Sequence, residues 1–118
     1  MIGHIVLFQP KADLSAEATS RFLETLTRGF REIPGIQTVR IGKRLTDAVT
    51  YAKNIGDSPY SHAAILEFAD RKSFVLYLEH PAHVAIGRQF WETCESTLIL
   101  DIESIDPRVS EIGHLLVK

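Results

Sequence analysis

Tyr77, His80 and His83 stand close together in the stretch YLEHPAHVAIG, residues 77–87. A phenol ordinarily titrates near 10 and an imidazole near 6.5, so Tyr77 and His83 could serve as acid and base around neutral pH. Two histidines three residues apart also suit a shared metal ion. A catalytic zinc site wants a third protein ligand, for which His4 or Glu79 would have to serve, and spacing alone does not bring either one in. Pro81 divides the pair. The residue before a proline avoids the helical region, so a helix should end at His80 and a new one restart with Pro81 at its first position. Residues three apart share a face only on an unbroken helix, so His80 and His83 need not point together.

Two more histidines lie in strand-like runs. HIVLF, residues 4–8, puts His4, Val6 and Phe8 on one side and Ile5 and Leu7 on the other. A strand apolar on both faces is usually central in its sheet. SHAAILEF, residues 61–68, alternates with His62, Ala64, Leu66 and Phe68 on one face. Taking these strands as parallel neighbours puts His4 and His62 at one end of the layer beneath the helices. A buried imidazole needs partners for both nitrogens, so two of them there predict a polar-lined hole. Ser61, His62 and Asp70 do not make a triad, because adjacent strand residues face opposite ways. The sequence has no glycine-rich phosphate loop and no GxSxG motif.

The remaining elements follow from periodicity. Ser15 is a cap for a helix carrying Ala18, Phe22, Leu23, Leu26, Phe30 and Ile33, ended by Pro34-Gly35. IQTVRIG, residues 36–42, is a half-buried strand with an irregularity near Gln37. Residues 44–60 form a long loop, and loops of this length in compact domains are often functional. Asp70 caps a helix through Phe74, Leu76 and Leu78. The piece after Pro81 carries Val84, Ile86, Phe90 and Trp91, and TLILDIES, residues 97–104, is the last strand. The order βαββαβ predicts an α+β, ferredoxin-like fold: a four-stranded antiparallel sheet, order 4-1-3-2, with the helices on one face.

Such a sheet leaves one face open. The residues expected there are Ile5, Leu7, Ala63, Ile65 and Ile99, with Arg40, Glu67, Asp101 and Glu103 around them. An apolar centre with a charged rim predicts a homodimer through the sheet face. Residues 1–104 are read as the domain and 105–118 as an extension. In the extension Asp106-Pro107 should start a short helix and Gly113 stop it, and the segment should pack on the body or on a partner. His114, outside the motif, is read as a surface residue.

The bulk numbers exclude several classes. With 118 residues the chain fits one domain with a real core. Thirteen basic against 15 acidic residues give a net charge of −2, with no basic block to hold nucleic acid. No apolar run approaches the ~20 residues of a membrane span. The N-terminus lacks a basic region and a cleavage site and reads as a strand. The single cysteine, Cys94, allows no internal disulfide and no thiolate zinc site. A cytoplasmic address is the expectation.

HIVLF, EIPGIQTVRIGK at 32–43, YSHAAILEF at 60–68 and above all YLEHPAHVAIG resemble the stress-responsive dimeric α/β-barrel (Dabb) family over residues 2 to about 104. Within that family the chain is similar to the olivetolic acid cyclase-like polyketide cyclases. The resemblance implies a ferredoxin-like fold, a homodimer whose sheets join into a barrel, and metal- and cofactor-free aldol-type ring closure. It implies His4, Tyr77 and His83 as the acid/base residues, with His62, His80, Val6, Phe22 and Leu26 around the substrate. Leu26 stands where the cyclase has a pocket tyrosine, so a small apolar carbonyl compound is expected rather than the same polyketide. The alternative is a non-catalytic, stress-responsive oligomeric or ligand-binding protein. Related dimeric barrels also include cofactor-independent monooxygenases.

Overall fold

A computed structural model describes residues 1–45 and 59–117. Strand β1 (Ile2–Pro10) leads into helix α1 (Ala16–Glu32) and strand β2 (Ile36–Lys43). Strand β3 (His62–Phe68) is followed by helices α2 (Arg71–Glu79) and α3 (Pro81–Thr93), then strand β4 (Cys94–Glu103). The loop expected at 44–60 lies outside the described residues apart from its ends. The sheet order is β2-β3-β1-β4, with every neighbouring pair antiparallel. This is the ferredoxin-like arrangement the element order predicts.

Antiparallel pairing corrects one expectation. β1 and β3 run in opposite directions, so His4 lies opposite Leu66 while His62 lies opposite Phe8. The two histidines are four strand positions apart, roughly 13 Å at strand rise. They do not share one end of the helix-facing layer.

A second correction concerns β4. Residues directly opposite in an antiparallel pair share a face. Ile5 pairs with Leu100 and Leu7 with Leu98, so Leu98, Leu100 and Ile102 lie on the open face. Val6 pairs with Ile99 and His4 with Asp101, so Ile99, Asp101 and Glu103 belong to the helix side and not to the open face where they were expected. The run TLILDIE is apolar at both parities until Asp101, so alternation cannot tell its two faces apart. The register is constant from Ile2 opposite Glu103 to Gln9 opposite Ser96 and shifts between Gln9 and Pro10, and β4 starts three residues earlier than its sequence pattern suggests. The irregularity expected near Gln37 is present as a register shift between Ile36 and Thr38.

Side chains facing the helices build the core. Ser15 caps α1 by accepting from the Ala18 amide at 3.0 Å, and the helix buries Phe22, Leu26 and Gly29, with Ile33 just beyond its end. Leu23 points to solvent. Phe8, Phe22 and Phe90 pack edge to face at one end of the layer. Phe68, Phe74 and Tyr77 pack at the other. Helix α2 buries Phe74 and Tyr77, while Leu76, expected inside, is exposed. Pro34-Gly35 turns the chain with Gly35 at φ +91°, where a side chain would be strained.

Beyond β4 the chain does not form the expected helix. Asp106 takes up a local turn, accepting from the Arg108 amide at 2.9 Å, and Gly113 opens a 3₁₀ turn (Gly113–Leu116) instead of closing a helix. Val109, Ile112, Leu115, Leu116 and Val117 are exposed, so this segment is not packed on its own body. His114 is exposed as expected.

Gly29 is the closest approach between α1 and α3. A Cβ there would sit 2.5 Å from Cδ1 of the buried Ile86. Gly29→Ala gains about 1 kcal/mol of helix propensity but overpacks the contact, which typically costs about 1–3 kcal/mol. We expect Gly29→Ala to lower the urea midpoint, and Ile86→Val, which removes Cδ1, to recover part of the loss when combined with it. Strict additivity in the double-mutant cycle would show that the contact is not what makes this glycine necessary.

Candidate active site

The break between α2 and α3 shapes the site. His80 has φ −68° and ψ 137°, extended rather than helical, as Pro81 requires. Its Nδ1 accepts from the Ala82 amide at 3.0 Å, so His80 caps α3. That interaction commits the ring to the backbone. Its lone pair is spent on an amide that would otherwise be unpaired at a helix start.

His83 uses the same break differently. Its Nδ1 donates to the carbonyl oxygen of Leu78 at 3.1 Å, one of the acceptors freed where α2 ends. Donation from Nδ1 leaves the lone pair of the neutral ring on Nε2. Burial lowers the His83 pKa below 6.5, the Leu78 carbonyl works against that shift, and His4 adds to the lowering. The ring is therefore neutral at physiological pH, in the form that can take a proton.

Tyr77 lies against His83 with ring centroids 4.6 Å apart. It is 2% exposed and its pKa is pushed up to about 12, by burial first and by the Asp101 carboxylate second. It stays a neutral phenol, which suits a hydrogen-bond donor and not a base. On its other side the ring meets His4 edge-on at 5.6 Å. His4 donates from Nδ1 to Asp101 Oδ1 at 2.5 Å across the β1–β4 pair. Asp101 is the residue that sequence reasoning missed. Its signal was its position opposite His4, hidden because β4 was assigned the wrong parity. Among the described residues, the only buried side-chain polar atom without a partner is Ser96 Oγ. The Tyr77 hydroxyl and His4 Nε2 make no hydrogen bond and yet are not sealed off, so both keep accessible surface.

That surface opens on a cavity of about 320 Å³ between the sheet and α3. Its wall combines His4, Tyr77 and His83 with Val6, Ile86, Gly87 and Phe90, and Trp91 stands at its rim. The structure thus brings together three of the expected site residues, with Val6 beside them. His62 lies elsewhere: it stacks on Phe8 at 5.3 Å, bonds Ser61 Oγ at 2.6 Å and borders a separate hollow of about 510 Å³ on the open side of the sheet. Phe22 and Leu26 are core residues off the cavity wall, and His80 is occupied as a cap. Among the described residues no three His, Cys, Asp or Glu side chains gather where they could hold a metal ion. None of the described helices is long and apolar enough to cross a membrane.

Comparison with known proteins places this geometry. The model of the Stress responsive A/B Barrel Domain, Dabb, matches residues 2–104. The chain belongs to this family. Its fold is similar to that of hydroxynitrile lyase from Passiflora edulis, with 21% identity, a TM-score of 0.70 and 90% and 96% of the two chains covered. It is also similar to a Dabb family protein with a ferredoxin-like fold from Mesorhizobium loti, at 24% identity, TM-score 0.66 and 89% and 97% coverage. A dimeric ferredoxin-like protein of unknown function from Bacteroides fragilis matches at 25% identity, TM-score 0.59 and 87% and 95% coverage. Comparison with curated proteins finds no match.

Two predictions follow from the charges. A phenol should titrate near 12 in the native protein and vanish from the ultraviolet titration of Tyr77→Phe. Asp101→Asn removes the second cause of the shift, so the same phenol should titrate lower; an unmoved titration would remove Asp101 from its surroundings. For His83 the folded pKa is depressed, so the unfolded chain binds the proton first as pH falls. The sign is a loss of stability on going below 6.5, and we expect the wild type to lose more between pH 7.5 and 5.5 than His83→Gln does in urea unfolding.

Proposed function

We propose that the protein is a cofactor-free acid/base catalyst acting on a small apolar carbonyl compound, of the aldol-type cyclase or lyase class. The supporting observation is the contact of a neutral imidazole having its lone pair on Nε2 with a protonated phenol at 4.6 Å, on the wall of one mostly apolar cavity. In this reading His83 Nε2 takes the proton from the carbon alpha to a carbonyl. Tyr77 donates to the oxygen that gains charge as the enolate forms, and His4, its Nδ1 hydrogen held by Asp101, turns Nε2 toward the same cavity. In an aldol closure the enolate carbon then bonds to a second carbonyl carbon, and the proton held by His83 returns to the new alkoxide. In the lyase direction the same steps run backwards and a carbon–carbon bond breaks. Asp101 keeps His4 oriented. Val6, Ile86 and Phe90 supply the apolar wall, while His62, His80, Phe22 and Leu26 act through the fold.

The size of the cavity favours a small substrate, since about 320 Å³ is at the low end for ligand sites. That the Passiflora edulis protein of the same fold is a hydroxynitrile lyase agrees with a lyase reading. The reading includes a homodimer through the open sheet face. Ile5, Leu7, Ile65, Leu98, Leu100 and Ile102 all lie there, which is more apolar than the sequence pattern suggested, and the Bacteroides fragilis neighbour is dimeric. It also includes a cytoplasmic, stress-linked role without nucleic acid or membrane as partner. A second reading is a ligand-binding protein without turnover, in which the hydrogen bonds of His80 and His83 serve the helix break alone.

The test is turnover of short β-keto thioesters and β-hydroxy carbonyl compounds. Removal of a general base typically costs about 10²–10⁴-fold. We expect losses of that order for His83→Ala and a smaller one for Tyr77→Phe, both with wild-type folding by circular dichroism. Binding of these compounds without turnover by the wild type would leave the second reading.

A further inference from the structure

The cavity has an apolar rim that the chain itself leaves bare. Trp91 is 86% exposed, and Ile99, which shares the cavity wall with it, is 56% exposed. Trp91 and Ile99 also line the cavity, so this rim is its mouth. An indole and a branched aliphatic left open to water at the entrance to a buried site call for a cover. The same chain carries a second bare apolar element. After Ser104, whose amide bonds the Met1 carbonyl at 2.8 Å, the segment exposes Val109, Leu115, Leu116 and Val117. The segment does not cover its own rim, because both remain exposed in one chain.

We propose that the segment after Ser104 of each subunit crosses to its partner and packs over the partner's Trp91, closing the mouth of the cavity. The inference rests on the homodimer proposed above. Exposure supports the occupant: Val109, Leu115, Leu116 and Val117 leave the segment as bare and as apolar as the rim it would cover. Reach is sufficient: thirteen residues from Ile105 to Val117 extend at most about 45 Å at full stretch, comparable with the longest dimension of the molecule, 47 Å. The site would then be composite, with its acid and base from one subunit and its lid from the other.

Trp91 is the only tryptophan in the chain, so its fluorescence reads the cover directly. The full chain and a chain ending at Ser104 would be compared, with mass measured by light scattering. We expect a two-chain mass for the full chain and a red-shifted Trp91 emission on truncation. Leu115→Ser with Leu116→Ser in the full chain should shift it in the same direction, which guards against a truncated chain that fails to fold. To test crossing, the truncated chain is mixed with excess full-length Trp91→Phe, and subunit exchange is followed by mass spectrometry. Exchange should return the emission to the blue, because the lid comes from the tryptophan-free subunit. A two-chain mass with emission unchanged by truncation and by both substitutions overturns the lid alone. Exchange without a blue shift overturns the crossing. A one-chain mass overturns the dimer reading as well.

Discussion

The register between β1 and β4 is the constraint on which the rest of the structure depends. His4 faces Asp101 across that pair, and both lie on the helix side of the sheet. A slip of one residue would exchange the two faces of β4. Asp101 would move to the open face, and the buried imidazole would face an aliphatic neighbour with its Nδ1 hydrogen unpaired, at a cost of about 1–3 kcal/mol. Leu98, Leu100 and Ile102 would in turn leave the open face, where Leu7, Ile5 and Gly3 are their partners. One register thus determines both the His4–Asp101 hydrogen bond and the apolar character of the outer surface. The interior site and the proposed dimer face are two consequences of the same pairing.

The second constraint is the break at His80-Pro81. Tyr77 and His83 are six residues apart, and on a continuous helix six residues turn about 600°, which leaves the two side chains roughly 120° apart and about 9 Å along the axis. They could not touch. The extended backbone at His80 redirects α3, and the two rings meet at 4.6 Å. The proline also spares one donor at the start of α3, where its missing amide hydrogen would have had no helical partner. The helix ends that result are satisfied by the two histidines flanking the break: His80 accepts from an amide at the start of α3, and His83 donates to a carbonyl at the end of α2.

These features show which parts of the molecule a sequence reveals. α1 was legible because Ser15, the spacing of Phe22 and Leu26 and the Pro34-Gly35 stop are all local signals. β1 was legible as central because Val6 and Phe8 on one face and Ile5 and Leu7 on the other are all apolar. β4 was legible as a strand and illegible in its faces for the same reason, since a run apolar at both parities carries no label for inside and outside. Asp101 was lost with that label. His62 was misplaced because the direction of β3 relative to β1 is a property of the whole chain path, not of either segment. Within the site, residue types near the break were readable. The exclusion of His62, Phe22 and Leu26 from the cavity wall was not, because burial in a core and exposure to a cavity demand the same apolar pattern.

His80 and His83 are identical side chains three residues apart, and the backbone gives them opposite hydrogen-bonding roles. His80 accepts at Nδ1, so the hydrogen of its neutral ring resides on Nε2. His83 donates at Nδ1, so its Nε2 carries the lone pair. Only the second can act as a base at Nε2, and only the second lies against Tyr77 on the cavity wall. No count of histidines in the motif could have separated them, because the choice is made by which backbone group, amide or carbonyl, the helix break leaves unpaired beside each ring. A structural role for the motif therefore does not compete with a catalytic one. The hydrogen bond that stabilises the break at His83 is the same bond that places a lone pair on the nitrogen available for proton transfer.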